Sequence, residues 1–390
     1  MRAQAHLERS RRSGREEQWL EAEAAAREAG LIRAALLGAD APATLECRLA
    51  VAQTLFRRHR WEEAERELRE SLELARPEES ATELTASMRT LLAEVLRAEC
   101  RLSEAEVEAR AAIAARPAAA GPHQGAPQDT LALVLGDLGR HSEAAELLAA
   151  TAAARTAATG PGHPLVLKGR SDRLQHLAYL GRHEEVVEES SAVRAGAAGA
   201  AGLPSVLLDL AAINGLAFSL SLQGRFEDSE RLLVPALADG RRLGPDRFVL
   251  VLHLGLARAL TGQGRAQEAL AAVETAQALF DRPQSAALAH DHSAIALARA
   301  AALLALGQYA DAEREAQHCR DLCGRVLAPA HHRSLEAETL LGMALARTGR
   351  RDQAAEHLRT THDAWRAHFG EQHHGTAQAR RSLDEVRDHA

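Results

Sequence analysis

Leucine recurs along this chain at a nearly constant distance, and a polar turn begins four residues after each copy. A small residue, in most cases alanine, stands three positions before the leucine, so both lie on one face of a helix. The pattern predicts eight helices that each pack closely against a neighbour. The leucines are Leu55, Leu96, Leu135, Leu177, Leu220, Leu260, Leu303 and Leu345.

The polar turn has the form Gly-Arg-x-x-Glu-Ala, as in "GRHSEA" at 139–144 and "GRAQEA" at 264–269. Glycine tolerates the left-handed conformation that ends a helix, and the acidic residue suits the N-terminus of a second helix. Each repeat is therefore predicted to be a helical hairpin, and repeated hairpins stack into an all-α array. The turns begin at His59, Cys100, Gly139, Gly181, Gly224, Gly264, Gly307 and Gly349, about 42 residues apart.

This spacing resembles the tetratricopeptide repeat (TPR) family, and more closely the 42-residue variety found in kinesin light chains and in many actinobacterial proteins. That variety joins repeats through an "LGxxHP" loop, which "TGPGHP" (159–164), "LAPAHH" (327–332) and "FGEQHH" (369–374) resemble. The resemblance implies a right-handed superhelical solenoid of about eight hairpins with a concave wall. The expected organisation is an N-terminal helix or degenerate repeat at 1–42, eight TPR-like repeats at 43–376 and a capping helix at 377–390.

The fourth repeat departs from the pattern. Leu174 and Val186 occupy positions that are small elsewhere, and Arg173 stands where most repeats have valine or leucine. The segment "AGAAGAAGLP" (195–204) then predicts a flexible loop or hinge.

Composition excludes some classes of function. The formal net charge of -7 does not provide the basic face that nucleic-acid binding requires. The first residues lack the apolar core of a signal peptide, and no apolar run is expected to approach the roughly 20 residues of a membrane span. Four cysteines in 390 residues fit a reducing compartment. We therefore expect a cytoplasmic protein that binds neither nucleic acid nor membrane.

Asn214 is the single asparagine of the chain, and Lys168 is the single lysine. The resemblance implies that residues 13, 10, 6, 3 and 2 positions before each turn face the concave groove. Asn214 stands ten before Gly224, within "NGLA", where the kinesin light chain type carries a recurrent asparagine in "NxLA".

An amide can donate to and accept from the backbone of an extended peptide, and a cation can pair with a carboxylate. In the alternative interpretation Asn214 only holds two helices together. The candidate partner-binding residues are Lys168, Gln175, Asn214, Phe218, Arg258, Arg97 and Tyr179.

Motifs for catalysis or cofactor binding are not found. "GPGHPLVLKGRS" (160–171) lacks the Gly-Lys-Ser/Thr end of a phosphate loop. Cys319 and Cys323, four apart on a helix, can form a zinc site with the histidines of "AHH" (330–332). Cys319 nevertheless falls at a small-residue position, which favours a core role. We predict no cofactor, no metal and no catalytic residue.

Two classes of function remain. The first is a non-catalytic adaptor that holds a partner protein or extended peptide in the concave groove. The second is a regulator that senses a peptide and acts through protein contacts, as repeat receptors of bacterial quorum-sensing peptides do. An accessory protein or enzyme of a biosynthetic cluster, built on a TPR scaffold, is a further alternative, and the sequence leaves homo-oligomerisation open.

Overall fold

A computed structural model describes residues 16–75, 82–116, 126–199, 203–243, 246–282, 289–328 and 331–388. Over these residues the chain forms eighteen helices and no strand, so the predicted all-α fold is confirmed. The helices are α1 (Glu16–Leu37), α2 (Pro42–Arg57), α3 (Trp61–Leu74), α4 (Glu83–Ala98), α5 (Leu102–Ala115), α6 (Ala126–Asp137), α7 (His141–Thr159), α8 (Pro164–Tyr179), α9 (His183–Ala198), α10 (Leu203–Leu222), α11 (Phe226–Leu243), α12 (Asp246–Gly262), α13 (Ala266–Phe280), α14 (Ala289–Ala305), α15 (Tyr309–Val326), α16 (His332–Arg347), α17 (Arg351–Phe369) and α18 (His374–Asp388).

The chain divides into two compact units, residues 1–134 (unit 1) and residues 135–390 (unit 2). Unit 1 contains α1 to α5 and unit 2 contains α7 to α18, while α6 crosses the boundary. In unit 2, α8, α10, α12, α14, α16 and α18 pack side by side, and each helix also packs on the next one in the chain. This arrangement makes one continuous wall from the first helices of successive hairpins.

All eight turns end their first helix in the same way. Each turn residue has a positive φ, from 57° at His59 to 86° at Gly349. The next residue donates its backbone N–H to the carbonyl of the recurrent leucine, as Arg140 does to Leu135 at 2.8 Å. This is the 6→1 hydrogen bond of a Schellman motif. It explains why the leucine and the turn residue keep a fixed spacing.

The arginine of the turn motif connects neighbouring hairpins. Arg265 Nε donates to Glu268 at 2.8 Å, and its Nη1 donates to Glu230 of the preceding hairpin at 2.7 Å. Arg101 makes the same two contacts with Glu104 and Glu65, both at 2.8 Å. Exposed ion pairs of this kind contribute only about 0–1 kcal/mol each.

The departures in the fourth repeat are compensated inside unit 2. Leu174 is fully buried, and Gly215 on α10 provides the space: a Cβ there would lie 2.6 Å from the Cβ of Leu174. Arg173 is also buried, but its guanidinium donates to the Ala145 carbonyl at 3.1 Å and to Glu189 at 2.9 Å. Both residues are therefore accommodated within the core.

Two sequence-based expectations are wrong. The loop expected at 195–204 is largely helical, because α9 continues to Ala198 and α10 begins at Leu203, while residues 200–202 lie outside the described part.

The second concerns the length of apolar runs. Ser205–Leu222 is long and apolar enough, by length and composition, to cross a membrane. In the structure this stretch belongs to α10, which packs against α8, α9, α11 and α12 as a repeat helix.

The turn residues allow a matched test of backbone strain. Gly264 has φ 75° and nothing near its missing Cβ, so Gly264→Ala should cost about 1–2 kcal/mol from the left-handed conformation alone. Cys100 has φ 63° at the same place in its repeat, so Cys100→Gly should raise the melting temperature. Thermal unfolding followed by circular dichroism measures both. Equal melting temperatures for the two variants would contradict the shared turn conformation.

Candidate functional site

A cavity of about 720 Å³ lies in unit 2, against the wall of first helices. Ligand pockets are commonly about 300–1,000 Å³ in volume. Many lining residues stand 13, 10 or 6 positions before a turn, as the resemblance implies. They include Val251, Ala294, Glu336, Asn214, Leu254, Leu297, Thr339, Gln175, Phe218, Arg258 and Ala301.

Five of the seven predicted partner-binding residues line this one cavity: Gln175, Tyr179, Asn214, Phe218 and Arg258. They come from α8, α10 and α12. The repeat period places equivalent positions of adjacent first helices side by side, so residues about 40 positions apart meet on one surface.

Asn214 is half-buried on α10 and faces the cavity. Its amide oxygen lies against α12, 3.4 Å from where a Cβ of Gly255 would stand, so the glycine permits a close approach. Within the part of the chain that the structure describes, no hydrogen bond involves this side chain. Both the donors and the acceptor of the amide are thus available to a ligand.

Arg258 forms the charged centre of the cavity. Its Nη2 donates to Oε2 of Glu336 on α16 at 3.2 Å, and its guanidinium lies 5.2 Å from the ring centre of Phe218. Burial alone would lower the pKa of Arg258, but the Glu336 carboxylate and the Tyr179 phenol raise it above the ordinary value. Oε1 of Glu336 is buried and has no hydrogen-bond partner among the described residues. This pair therefore offers unused donors and one unused acceptor.

Tyr179 closes one side of the cavity. Its ring centre lies 4.9 Å from that of Phe218 and 3.7 Å from that of His332. Burial raises the pKa of Tyr179, so the phenol stays neutral and can donate a hydrogen bond. The side chain of Gln175 is hydrogen-bonded to it.

The cavity lining is more positive than the chain as a whole. Four arginines line it against two carboxylates, whereas the whole chain carries a formal charge of -7. Two arginines are paired, Arg247 with Asp291 at 2.8 Å and Arg258 with Glu336, while Arg381 on α18 is exposed. This balance favours a ligand with acidic groups.

Two of the predicted partner-binding residues lie outside the cavity, and one residue that lines it was not predicted. Lys168 is exposed on α8 and forms an ion pair with Asp172, and Arg97 lies on α4 in unit 1. Neither lines the cavity. Glu336 stands 13 residues before Gly349, so the same positional rule could have found it. Unit 1 has its own smaller cavity of about 230 Å³, lined in part by Gln53, Arg57 and Glu94.

The cysteine and histidine candidates for a metal site have different contact partners. Cys319 and Cys323 are buried, with sulfurs 3.9 Å apart, and pack in an apolar cluster with Leu322. The ring of His332 contacts His141 instead, with 2.9 Å between their nitrogens. Among the described residues no group of three His, Cys, Asp or Glu side chains has the geometry to hold a metal ion.

Comparison with known proteins identifies the repeats. Family models of the tetratricopeptide repeat match residues 209–282 and, with a second form of the repeat, residues 44–76, 128–165 and 339–375. The matches coincide with the hairpins and with the turn geometry described above. The chain contains tetratricopeptide repeats over these segments.

The chain is also similar to several solved structures. A Rap protein complexed with Competence and Sporulation Factor is 14% identical, with a TM-score of 0.58, covering 100% of this chain and 98% of that one. The apo form of RapI is 9% identical, with a TM-score of 0.46, covering 88% and 97%. A putative kinesin light chain of Podosopora anserina is 23% identical, with a TM-score of 0.37, covering 53% and 97%. Among curated proteins, a sequence search finds no match.

Proposed function

We propose that this chain is a non-catalytic adaptor that binds an extended segment of a partner protein, or a peptide, in the cavity of unit 2. The observation that carries the proposal is the unengaged amide of Asn214 beside the Arg258–Glu336 pair in one cavity. We further propose that it acts in the cytoplasm, without nucleic acid, membrane or cofactor.

The cavity supplies the contacts that an extended segment needs. The side-chain amide of Asn214 can both donate a hydrogen bond to the ligand backbone and accept one from it, whatever the ligand side chain. Arg258 has unused N–H groups for a carboxylate or carbonyl, and such charge-assisted bonds are the stronger ones. Phe218 and Leu254 are partly exposed in the same cavity and provide apolar surface. The ligand we expect is therefore an extended segment with acidic groups and at least one apolar side chain.

A second candidate, a peptide-sensing regulator, is favoured by a different observation. The two ends of unit 2 touch, because His373 Nε2 donates to the Tyr179 carbonyl at 2.9 Å. A ligand that fits only one arrangement of these ends would shift the population toward that arrangement. The similar Rap protein was solved in complex with Competence and Sporulation Factor. In this chain the output would pass through protein contacts.

Asn214→Ala tests the binding role directly. Loss of the amide should weaken capture of peptides from a random decapeptide library by about 1–3 kcal/mol, because polar groups of the bound backbone lose their partner. Helicity and melting should stay nearly unchanged, since Asn214 bonds no helix in the described chain. Affinity of the best captured peptide, measured by calorimetry, provides the comparison.

Gln353→Ala is the matched control, because Gln353 is an exposed amide on α17 away from the cavity. Lys168→Ala should also bind normally, since Lys168 pairs with Asp172 outside the cavity. If Asn214→Ala melts early and still binds normally, the asparagine holds the scaffold. If the wild-type chain captures no peptide, the adaptor proposal itself is wrong.

A further inference from the structure

The first and last hairpins of unit 2 are joined by histidines. His373, the residue before α18, donates Nε2–H to the Tyr179 carbonyl, and the two residues are 194 positions apart. His141 at the start of α7 contacts His332 at the start of α16, across 191 positions. Tyr179 and His374 line the main cavity and also a second pocket beside this contact. The contact therefore forms one boundary of the cavity.

The protonation state of His373 follows from its second hydrogen bond. Its Nδ1 accepts from the backbone N–H of Gly375 at 3.1 Å and so caps α18. A nitrogen that accepts carries no proton, so in the neutral ring the proton is on Nε2, which faces Tyr179. A second proton would have to enter at Nδ1. It would abolish the cap and place positive charge at the positive end of a helix.

His331 is arranged in the same way. Its Nδ1 accepts from the backbone N–H of Arg333 at 3.1 Å and caps α16. The ring also hydrogen-bonds the backbone of Gly136, near the end of α6. His331 is 3% exposed. Two helix caps in the last part of unit 2 thus bind backbone groups in its first part.

We call His141, His176, His331, His332, His373 and His374 the histidine junction. Its centre is a row of three rings, in which Nδ1 of His141 lies 3.0 Å from Nδ1 of His176 and the opposite nitrogen contacts His332. Nε2 of His332 is buried and has no hydrogen-bond partner among the described residues. The other titratable or charged groups that face the junction are Arg258, Arg333, Asp137, Glu336, Tyr179, His183 and His290.

Burial lowers the pKa of every imidazole in the junction, which favours the neutral ring at pH 7. Burial lowers the pKa of His141 to about 3, with His176 and His373 adding to the effect, and burial lowers the pKa of His176 to about 4. Burial likewise lowers the pKa values of His331 and His332 well below their usual range. Two facing arginines balance the two facing carboxylates, so no excess negative charge is available to stabilise added protons.

We propose that the histidine junction is an acid-sensitive latch, which holds the two ends of unit 2 together at neutral pH and releases them when its imidazoles are protonated. The release itself is a property of unit 2. Its consequence, easier entry and exit of a ligand at the cavity, rests on the proposed function.

The direction of the pH effect follows from linkage. The imidazoles titrate below their ordinary pKa when the ends are joined, and near 6.5 when the ends have separated into water. The joined state is therefore fully favoured above about pH 6.5 and loses stability as the pH falls below that value. For His141, whose pKa is about 3 when the ends are joined, release at pH 5 favours the separated state by about 30-fold.

The distance between the two ends provides the test. Spin labels at Ala150→Cys on α7 and Ala367→Cys on α17 replace exposed alanines, in a full-length Cys100→Gly background where the remaining native cysteines are buried. Pulsed electron paramagnetic resonance should give one short distance at pH 7.5. A longer, broader population should appear at pH 5.0 with the helical signal retained.

Substitutions distinguish the loss of the latch from the loss of the helix caps. Asparagine keeps a cap acceptor but loses the imidazole, so His331→Asn with His373→Asn should give the longer distance at both pH values. His163→Asn is the matched control, because His163 caps α8 through Nδ1 at 3.3 Å and is not part of the junction. It should behave like the wild type.

Three results would overturn the latch. The first is a distance that does not change between pH 7.5 and pH 5.0. The second is loss of helicity together with the distance, which would mean general acid unfolding. The third is an equal effect of His163→Asn, which would assign the change to cap loss. Peptide capture at pH 7.5 is measured separately, so a failure of the adaptor proposal is distinguished from a failure of the latch.

Discussion

Trp365→Ala should lower the free energy of unfolding of unit 2 by about 3–5 kcal/mol. Trp365 is 1% exposed on α17, and its indole Nε1 donates to Thr339 Oγ1 at 3.1 Å. Gly375 makes room for the ring, since a Cβ there would lie 2.7 Å from it. Truncation leaves a cavity, leaves the Thr339 hydroxyl without its donor and removes the stacking on His373.

Urea unfolding followed by circular dichroism measures this effect. Trp61→Ala is the control, because Trp61 is only half-buried at the start of α3 in unit 1 and should cost less. Repeat arrays can unfold in parts, so the variants are compared over each resolved phase of the transition. Equal shifts for the two variants would mean that Trp365 is not packed as described.

Ala300→Leu should destabilise unit 2 by about 1–3 kcal/mol through overpacking. Ala300 is fully buried on α14, at the small-residue position of its repeat, and packs in a core with Leu341 and Leu345. Three additional heavy atoms cannot fit between helices in such close contact. Ala257→Leu, at the equivalent position of α12, should behave alike.

The control for this series is Ala271→Leu, because Ala271 is exposed on α13. That substitution should change the unfolding free energy by less than about 0.5 kcal/mol. Thermal and urea unfolding together give the comparison. If both buried variants unfold like the wild type, the repeat alignment is out of register.

Local patterns were sufficient to predict each hairpin. The recurrent leucine, the turn residue and the small residues act within one hairpin or between adjacent ones, and all eight turns have the predicted left-handed conformation. The same register predicted the inner face of the wall, which is why Gln175, Asn214, Phe218 and Arg258 meet in one cavity. Lys168 occupies a position of the same kind on α8 but lies outside the cavity. A residue on the inner face of the wall need not border the enclosed space.

The sequence by itself therefore determined the repeat, the all-helical fold and most of the residues around the cavity, because these depend on contacts between neighbours in the chain. Only the tertiary structure decided that Glu336 reaches Arg258, and that His141 and His373 join the ends of unit 2. Those contacts span 78 to 194 positions. They depend on the summed rotation of several stacked hairpins, and a small change at each interface would separate them. A local sequence pattern determines each hairpin, but it does not determine the summed rotation of several hairpins.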